Sequence, residues 1–124
     1  MHEIALFTDV SVNTQSKVGY GAYLLITDPD LPLEQLRQQV QIRRFEQTSS
    51  TKLELQTLLW ALYEIQPLNR QLTIYTDSQN LVTLPARRER LEQNDYRSRQ
   101  NRRLNNYQLY KEFYRLTDQI DCRL

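Results

Sequence analysis

The chain has 124 residues, of which 40% are hydrophobic and 25% are charged, which is the composition of one globular domain large enough to bury a core. Sixteen Lys and Arg residues stand against fifteen Asp and Glu residues, so the net charge of +1 alone argues against a nucleic-acid partner. The single cysteine, Cys122, excludes an internal disulfide bond and a cysteine-based structural zinc site.

The N-terminus and the apolar stretches of the chain lack the patterns expected of a signal peptide or a membrane span. The N-terminus lacks the basic segment and the long apolar run of a signal peptide, and no apolar stretch approaches the roughly 18 residues of a membrane span. We therefore expect a single cytoplasmic domain over residues 1–124 that acts as a monomer and has no membrane partner. The only two glycines, Gly19 and Gly21, exclude a glycine-rich phosphate loop.

The first part of the chain has the pattern of three strands. Residues 3–9 are short and apolar between polar neighbours, and residues 17–27 are rich in Tyr, Leu and Ile. After a Pro-containing loop at residues 28–32, apolar and polar side chains alternate over residues 39–47, which is typical of a half-exposed strand. This part of the sequence predicts a meander of three antiparallel strands.

The spacing of apolar residues changes to that of a helix at Lys52. Leucines recur three and four positions apart, which predicts a helix that Pro67 stops. The later elements are a strand over residues 72–76, a short helix over 78–84, an Arg-rich stretch, a helix over 104–117 and an apolar fragment over 120–124. This order predicts an α/β domain on a mixed sheet, in which right-handed helical crossovers join the later strands.

Three carboxylates lie where such a fold would bring them together. Asp9 ends the first predicted strand, Asp77 follows the fourth, and Glu54 lies in the first turn of the long helix. Functional groups gather at the carboxyl ends of neighbouring strands, and the crossover helix would return the fourth strand beside the first. Three like charges in one pocket repel one another unless divalent cations compensate them. Oxygen ligands without His or Cys favour Mg²⁺ or Mn²⁺, two of which could clamp both oxygens of a phosphodiester.

Each of these carboxylates also has a plain structural interpretation. Glu54 could complete a capping box in which Thr51 is the N-cap of the helix. Asp77 could cap the short helix that follows it, and Asp9 could be a turn residue after its strand. For each carboxylate considered alone, the structural role is favoured. The motifs that surround the three carboxylates favour a functional role instead.

Four short motifs follow one another along the chain. They are Phe7-Thr8-Asp9-Val10-Ser11, Gly19-Tyr20-Gly21-Ala22-Tyr23-Leu24, Thr48-Ser49-Ser50-Thr51-Lys52-Leu53-Glu54-Leu55 and Ile74-Tyr75-Thr76-Asp77-Ser78-Gln79. With these motifs the chain resembles type 1 ribonuclease H from about Ile4 to Leu124, and the last motif matches that family's I-Y-T-D-S-Q almost letter for letter. The resemblance implies the ribonuclease H fold, a five-stranded mixed sheet flanked by helices.

The resemblance also implies an activity, which is hydrolysis of the RNA strand of an RNA/DNA hybrid with two Mg²⁺ ions, for which Mn²⁺ would substitute. By analogy Asp9 would be shared between both ions, Asp77 would be a further ligand, and Glu54 would also sense the 2′-hydroxyl of the substrate. The neutral residues that align with minor-groove contacts are Ser11, Asn13, Ser50, Thr51 and Gln79.

The chain departs from the family pattern in several places. Val10 stands where the family has Gly, and residues 13–18 replace a Gly-rich hairpin, so a different turn is expected near the substrate. The family's Gly-His loop and its last helix, which bears a fourth metal-binding Asp, have no counterpart up to the end of this sequence. Neither Asp118 nor Asp121 is expected to replace that carboxylate, and His2 is expected to be an exposed terminal residue.

The net charge of +1 conceals an uneven distribution. Residues 87–103 contain seven Arg against three Asp and Glu, a net charge of +4, so the rest of the chain carries −3. The family often has a basic helix and loop here that grips the phosphates of the DNA strand. The residues expected to do so are Arg97, Arg99, Arg102, Arg103 and Asn106. The alternative is a solvated helix whose arginines pair with its own acidic residues.

Three functions of different classes are compatible with these patterns. The preferred one is a metal-dependent ribonuclease acting on RNA/DNA hybrids. The second is a non-catalytic module that binds hybrid or double-stranded RNA. The third is an integrase-like or exonuclease enzyme of the same fold with a DNA substrate. The motif around Asp77 and the motif at the entry to the long helix favour the first function over the third.

Overall fold

The centre of the molecule is a five-stranded mixed sheet, seen in a computed structural model that describes residues 4–65, 71–120 and 122–124. The strands are β1 (Ile4–Asn13), β2 (Val18–Ile26), β3 (Gln41–Phe45), β4 (Leu72–Tyr75) and β5 (Cys122–Arg123). They lie in the order β3-β2-β1-β4-β5, in which β1, β2 and β3 are antiparallel and β4 runs parallel to both β1 and β5. The α/β class and the mixed sheet are confirmed.

Five helices within the described residues accompany this sheet, and the longest of them covers one of its faces. The helices are α1 (Leu33–Gln38), α2 (Ser50–Ile65), α3 (Gln79–Val82), α4 (Leu84–Gln93) and α5 (Tyr107–Gln119). The long helix α2 packs on β1 and β2 and also contacts α5. Its periodic apolar residues are buried as predicted, and they form one core with Leu6 of β1 and Phe113 of α5. None of the helices in the described ranges has the length and apolar character to cross a membrane.

The two glycines of β2 allow α2 to approach the sheet closely. A Cβ atom on Gly21 would overlap the Oγ1 atom of Thr57, and one on Gly19 would collide with the Leu53 side chain. The backbone of β2 therefore touches side chains of α2 directly, and any larger residue at these two positions would push the helix away from the sheet.

The first strand is longer than predicted. β1 continues through Asn13, where the Oδ1 atom accepts hydrogen bonds from Gln15 N at 2.9 Å and Ser16 N at 3.1 Å. The hairpin closes with Lys17 at a positive φ of 59°. The prediction that Asp9 ends the strand is therefore wrong, because the hairpin turn ends the strand and Asp9 lies in its middle.

Helix α1 was not predicted, since the sequence there indicated only a Pro-containing loop before the third strand. The helix has six residues and none of them is buried, and Leu33 is 65% exposed. A short helix without a buried stripe has no apolar periodicity to identify it.

The start of α2 contradicts the capping role proposed for Thr51. The helix begins at Ser50, and Ser49 Oγ accepts a hydrogen bond from Lys52 N at 3.3 Å. Ser49 therefore occupies the N-cap position, and Thr51 lies inside the first turn. The other end of the helix was predicted to be set by Pro67, which lies outside the described residues, as do His2 and Asp121.

The Arg-rich stretch contains helix α4 and a small hairpin. The bridge between Arg97 and Arg103 is antiparallel, and the chain around it adopts positive φ at Asp95, Tyr96 and Asn101. Because this hairpin extends to residue 106, α5 begins three residues later than predicted.

Candidate metal and nucleic-acid site

Asp9 and Asp77 occupy equivalent positions on neighbouring parallel strands. The last residues in register between β1 and β4 are Phe7 and Tyr75, and each aspartate follows its partner in that pair by two residues. Both line one open cleft of about 550 Å³, which we call the aspartate cleft. The prediction that strands one and four are neighbours is confirmed, and Asp9 and Asp77 both lie in the aspartate cleft.

The aspartate cleft opens on the face of the sheet opposite α2. Side chains alternate along β1, so Asp9 and Phe7 share the open face, whereas Ile4 and Leu6 are buried under the helices. The rings of Phe7 and Tyr75 stack at 4.8 Å with an interplanar angle of 13°, and both remain about half exposed. The cleft thus has an aromatic floor beside two carboxylates.

Glu54 lies on α2 and is not one of the residues that line the aspartate cleft. It is the fifth residue of α2, it is half-buried, and its Oε2 atom accepts a hydrogen bond from the hydroxyl of Ser78. Ser78 directly follows Asp77, so this hydrogen bond ties Glu54 to the neighbour of a cleft residue. Ser78 Oγ also accepts from Leu81 N at 3.2 Å as the N-cap of α3. Ser78, and not Asp77, is therefore the cap.

Among the described residues, the three carboxylates have no cationic partner. Within the part of the chain that the structure describes, none of Asp9, Glu54 and Asp77 forms an ion pair, and Asp9 Oδ1 accepts only the hydrogen bond from Val10 N at 2.9 Å. Hard oxygen donors without a competing Lys or Arg fit a divalent cation such as Mg²⁺. In the same described ranges, however, no three Asp, Glu, His or Cys side chains lie close enough to hold a metal ion together.

The neutral residues predicted on β1 lie in line with Asp9. Ser11 and Asn13 are exposed and follow Asp9 at two-residue intervals, so all three side chains are on the open face. Because the Oδ1 atom of Asn13 is used by the hairpin turn, its amide NH₂ group remains to donate hydrogen bonds outward.

The other predicted contact residues lie on two helix starts. Ser50 and Thr51 are exposed in the first turn of α2, and Gln79 is exposed as the first residue of α3. Thr48 N donates to Lys17 O at 2.9 Å, which connects the entry to α2 with the hairpin after β1. The residues on β1 and those on α2 are therefore held next to each other by backbone contact.

The arginines predicted to bind phosphate are gathered elsewhere. Arg97 and Arg99 line two small clefts of about 290 and 410 Å³, and neither cleft shares a residue with the aspartate cleft. Asp95 lies 3.6 Å from Arg97 Nε and 3.2 Å from Arg103 Nη2. Asn106 is half-buried with a φ of 67° and makes no side-chain capping bond to α5.

Part of the Arg-rich stretch follows the alternative interpretation of internal ion pairs. Arg88 donates two hydrogen bonds to the Asp118 carboxylate, at 2.6 and 2.8 Å, and one to Glu92 at 2.8 Å. The guanidinium beside Asp118 lowers the pKa of that carboxyl from its ordinary value of 3.8. In contrast, Arg99 and Arg102 are exposed and form no ion pair within the described residues.

Sequence reasoning missed two residues of these sites. Ser78 was read only as part of a motif, although a serine three residues before Leu81 at a helix start is an N-cap signal. Arg90 lines one of the arginine clefts together with Arg97 and Arg99, and nothing in its local sequence distinguishes it from its neighbours on α4.

Comparison with known proteins agrees with this architecture. The RNase H family model matches residues 1–124. Among solved structures, the foamy viral protease-reverse transcriptase in complex with dsDNA is similar, with a TM-score of 0.74 and 10% identity, over 98% of this chain and 77% of that chain. At this identity the similarity concerns the fold alone. No curated protein matches the sequence.

Proposed function

This chain belongs to the RNase H family, and we propose that it hydrolyses the RNA strand of RNA/DNA hybrids with divalent cations held by Asp9, Glu54 and Asp77. The observation that carries the proposal is the aspartate cleft. Two carboxylates at equivalent positions of β1 and β4 line it, and the third is hydrogen-bonded to the residue beside Asp77.

The chemistry of the donor set supports a role for Mg²⁺, with Mn²⁺ as a substitute. When bound, two such ions supply an activated water and compensate the charge that develops on the phosphate. The protein would contribute the oxygen ligands, and Asp9 would be shared between both ions. Water adds to the phosphorus, the bond to the 3′-oxygen breaks, and the products are a 3′-hydroxyl and a 5′-phosphate.

Recognition of the RNA strand is proposed for the neutral residues around the carboxylates. Hydroxyl and amide groups donate to and accept from 2′-hydroxyl groups, which distinguish RNA from DNA across the minor groove. The candidates are Ser11, Asn13, Ser50, Thr51 and Gln79. All five are exposed, and the contact between Lys17 and Thr48 holds the two groups on β1 and α2 in a fixed relation.

Binding of the DNA strand is proposed for the hairpin that follows α4. The guanidinium group fits phosphate oxygens in two parallel hydrogen bonds. Arg99 and Arg102 form no ion pair with the described residues, whereas Arg97 and Arg103 are already engaged with Asp95. Asn106 at the start of α5 would add a neutral contact to the sugar.

The test compares three labelled substrates, an RNA/DNA hybrid, an RNA duplex and a DNA duplex, each with EDTA, with Mg²⁺ and with Mn²⁺. We expect cleavage of the RNA strand of the hybrid only, and only with metal present. Asp9→Asn should abolish this cleavage while its far-UV circular dichroism spectrum and melting temperature stay at wild-type values.

Two outcomes would contradict the proposal. Equal cleavage of the DNA duplex would indicate a DNA nuclease or an integrase-like enzyme of the same fold. Salt-dependent binding of the hybrid without any metal-dependent cleavage would indicate a binding module instead.

A further inference from the structure

Ser78 connects Glu54 on α2 with Asp77, which lines the aspartate cleft. It is 5% exposed, it follows Asp77 directly, and its hydroxyl contacts Glu54 Oε2. We propose that Ser78 is a positioning residue, which holds Glu54 in the orientation that contributes to divalent-cation binding. This inference rests on the proposed function, since it takes Glu54 as a ligand.

The hydrogen bonds of the Ser78 hydroxyl define its role. A hydroxyl carries one hydrogen and two lone pairs, and a backbone N–H can only donate. Because Leu81 N donates to Ser78 Oγ at 3.2 Å, the hydroxyl hydrogen is available for the carboxylate of Glu54. A hydrogen bond to an ionised acceptor is roughly twice as strong as one between neutral groups.

The backbone of Ser78 is fixed more firmly than the side chain of Glu54. Ser78 N donates to Thr76 Oγ1 at 3.1 Å, and Ser78 O accepts from Val82 N at 3.1 Å. The residue is thus anchored on both sides by the end of β4 and the first turn of α3. Glu54 has three rotatable side-chain bonds, so it is Glu54 that takes its orientation from Ser78.

Only one of the two carboxylate oxygens of Glu54 takes part in the contact with Ser78. Oε2 accepts from Ser78, while Oε1 accepts no hydrogen bond from the described residues. Without the Ser78 hydroxyl, the Glu54 carboxylate would accept no hydrogen bond from the described residues. Loss of such an outer contact typically weakens metal binding or activity about 10-fold to 100-fold.

The decisive comparison is Ser78→Thr against Ser78→Gly. Thr and Gly are equally good N-cap residues, so the two variants differ mainly in the hydroxyl donor to Glu54. Mn²⁺ affinity is measured without substrate, by calorimetric titration and by the Mn²⁺-induced rise in melting temperature. We expect Ser78→Gly to bind Mn²⁺ at least about 10-fold more weakly and Ser78→Thr to stay near wild type.

Kinetics and a double-mutant cycle separate positioning from a purely structural role. On the hybrid substrate, Ser78→Gly should lower kcat and leave KM for the hybrid unchanged. In a Glu54→Ala background, Ser78→Gly should have no further effect on Mn²⁺ affinity, because the hydroxyl acts through Glu54.

Several results would overturn the inference. Equal Mn²⁺ affinity in Ser78→Gly and wild type, or a loss of folded structure in Ser78→Gly, would assign Ser78 a structural role only. A wild-type chain that does not bind Mn²⁺ would also overturn it. A wild-type chain that binds Mn²⁺ but leaves the hybrid intact would contradict the proposed function alone, and the titrations would still test Ser78.

Discussion

The aspartate cleft and the Arg-rich stretch use their charges in opposite ways. Asp9 and Asp77 are exposed and lack ion pairs within the described residues, whereas Arg88 holds Asp118 through two hydrogen bonds. A charged side chain that is paired with another side chain of the protein contributes to the fold and no longer binds a ligand. A charge left in solvent adds little to stability and remains available. Net charge therefore says less about binding than the pairing of individual side chains does.

The largest effect that would test this contrast is expected from Asp77→Asn. Removing one carboxylate of the cleft should lower the rate of hybrid cleavage at least about 1000-fold, because the metal ions lose a ligand. The melting temperature should stay constant, since Asp77 is exposed and forms no ion pair within the described residues. Single-turnover kinetics and thermal melts would measure both effects, and a fall in melting temperature of several degrees would show that Asp77 serves the fold instead.

A smaller effect is expected from the unpaired arginines. The double variant Arg99→Ala/Arg102→Ala should weaken hybrid binding and lower the slope of log affinity against log salt concentration by about 2, one for each phosphate contact. The matched control is Arg88→Ala. It should leave that slope unchanged and lower the melting temperature by a few degrees, because it removes the pairing with Asp118 and the contact with the Tyr114 ring at 5.0 Å.

Fluorescence anisotropy over a range of salt concentrations would measure these slopes. If Arg88→Ala and the double variant lowered the salt slope equally, paired and unpaired arginines would not differ in their contribution to binding, and the prediction would be wrong.

The smallest effect concerns the pH dependence of the pair between Arg88 and Asp118. The pKa of Asp118 is lowered in the folded protein from its ordinary value of 3.8. The pair therefore stabilises the fold above that value, and this contribution is lost as the pH falls through the lowered folded-state pKa. The difference in melting temperature between wild type and Asp118→Asn should be present at neutral pH and vanish in stronger acid. A difference that is independent of pH, or that grows on acidification, would contradict this assignment.

The sequence predicted the helix that buries a stripe of apolar residues and missed a helix that buries none. The leucines of α2 are three and four residues apart and indicate both its existence and its buried face. Helix α1 buries nothing, so it left no pattern. The extension of β1 was recognisable, because Val10 and Val12 alternate with polar residues on the open face, and this signal was overlooked.

Within the candidate site, the sequence identified the residue types but not their contacts. Asp77 and Ser78 are both good N-cap residues, and a shift of one position decides which of them faces the cleft. The partner of Arg88 lies 30 residues further along the chain, so no local pattern could assign that pair. The fold and the order of the motifs were thus predictable from the sequence. Which polar residue caps a helix, which one faces the cleft and which one pairs with an arginine depends on three-dimensional packing.

The contact between Gly21 and Thr57 has a consequence for how this fold tolerates sequence change. Thr57 lies one helical turn after Glu54, and Gly21 is the strand neighbour of Ala22, which pairs with Asp9. The separation between α2, which carries Glu54, and the strand β2, which pairs with the Asp9 strand, is thus set by contact of a backbone with a side chain. A residue with a side chain at position 21 would therefore shift α2, and Glu54 with it, relative to the strand that carries Asp9.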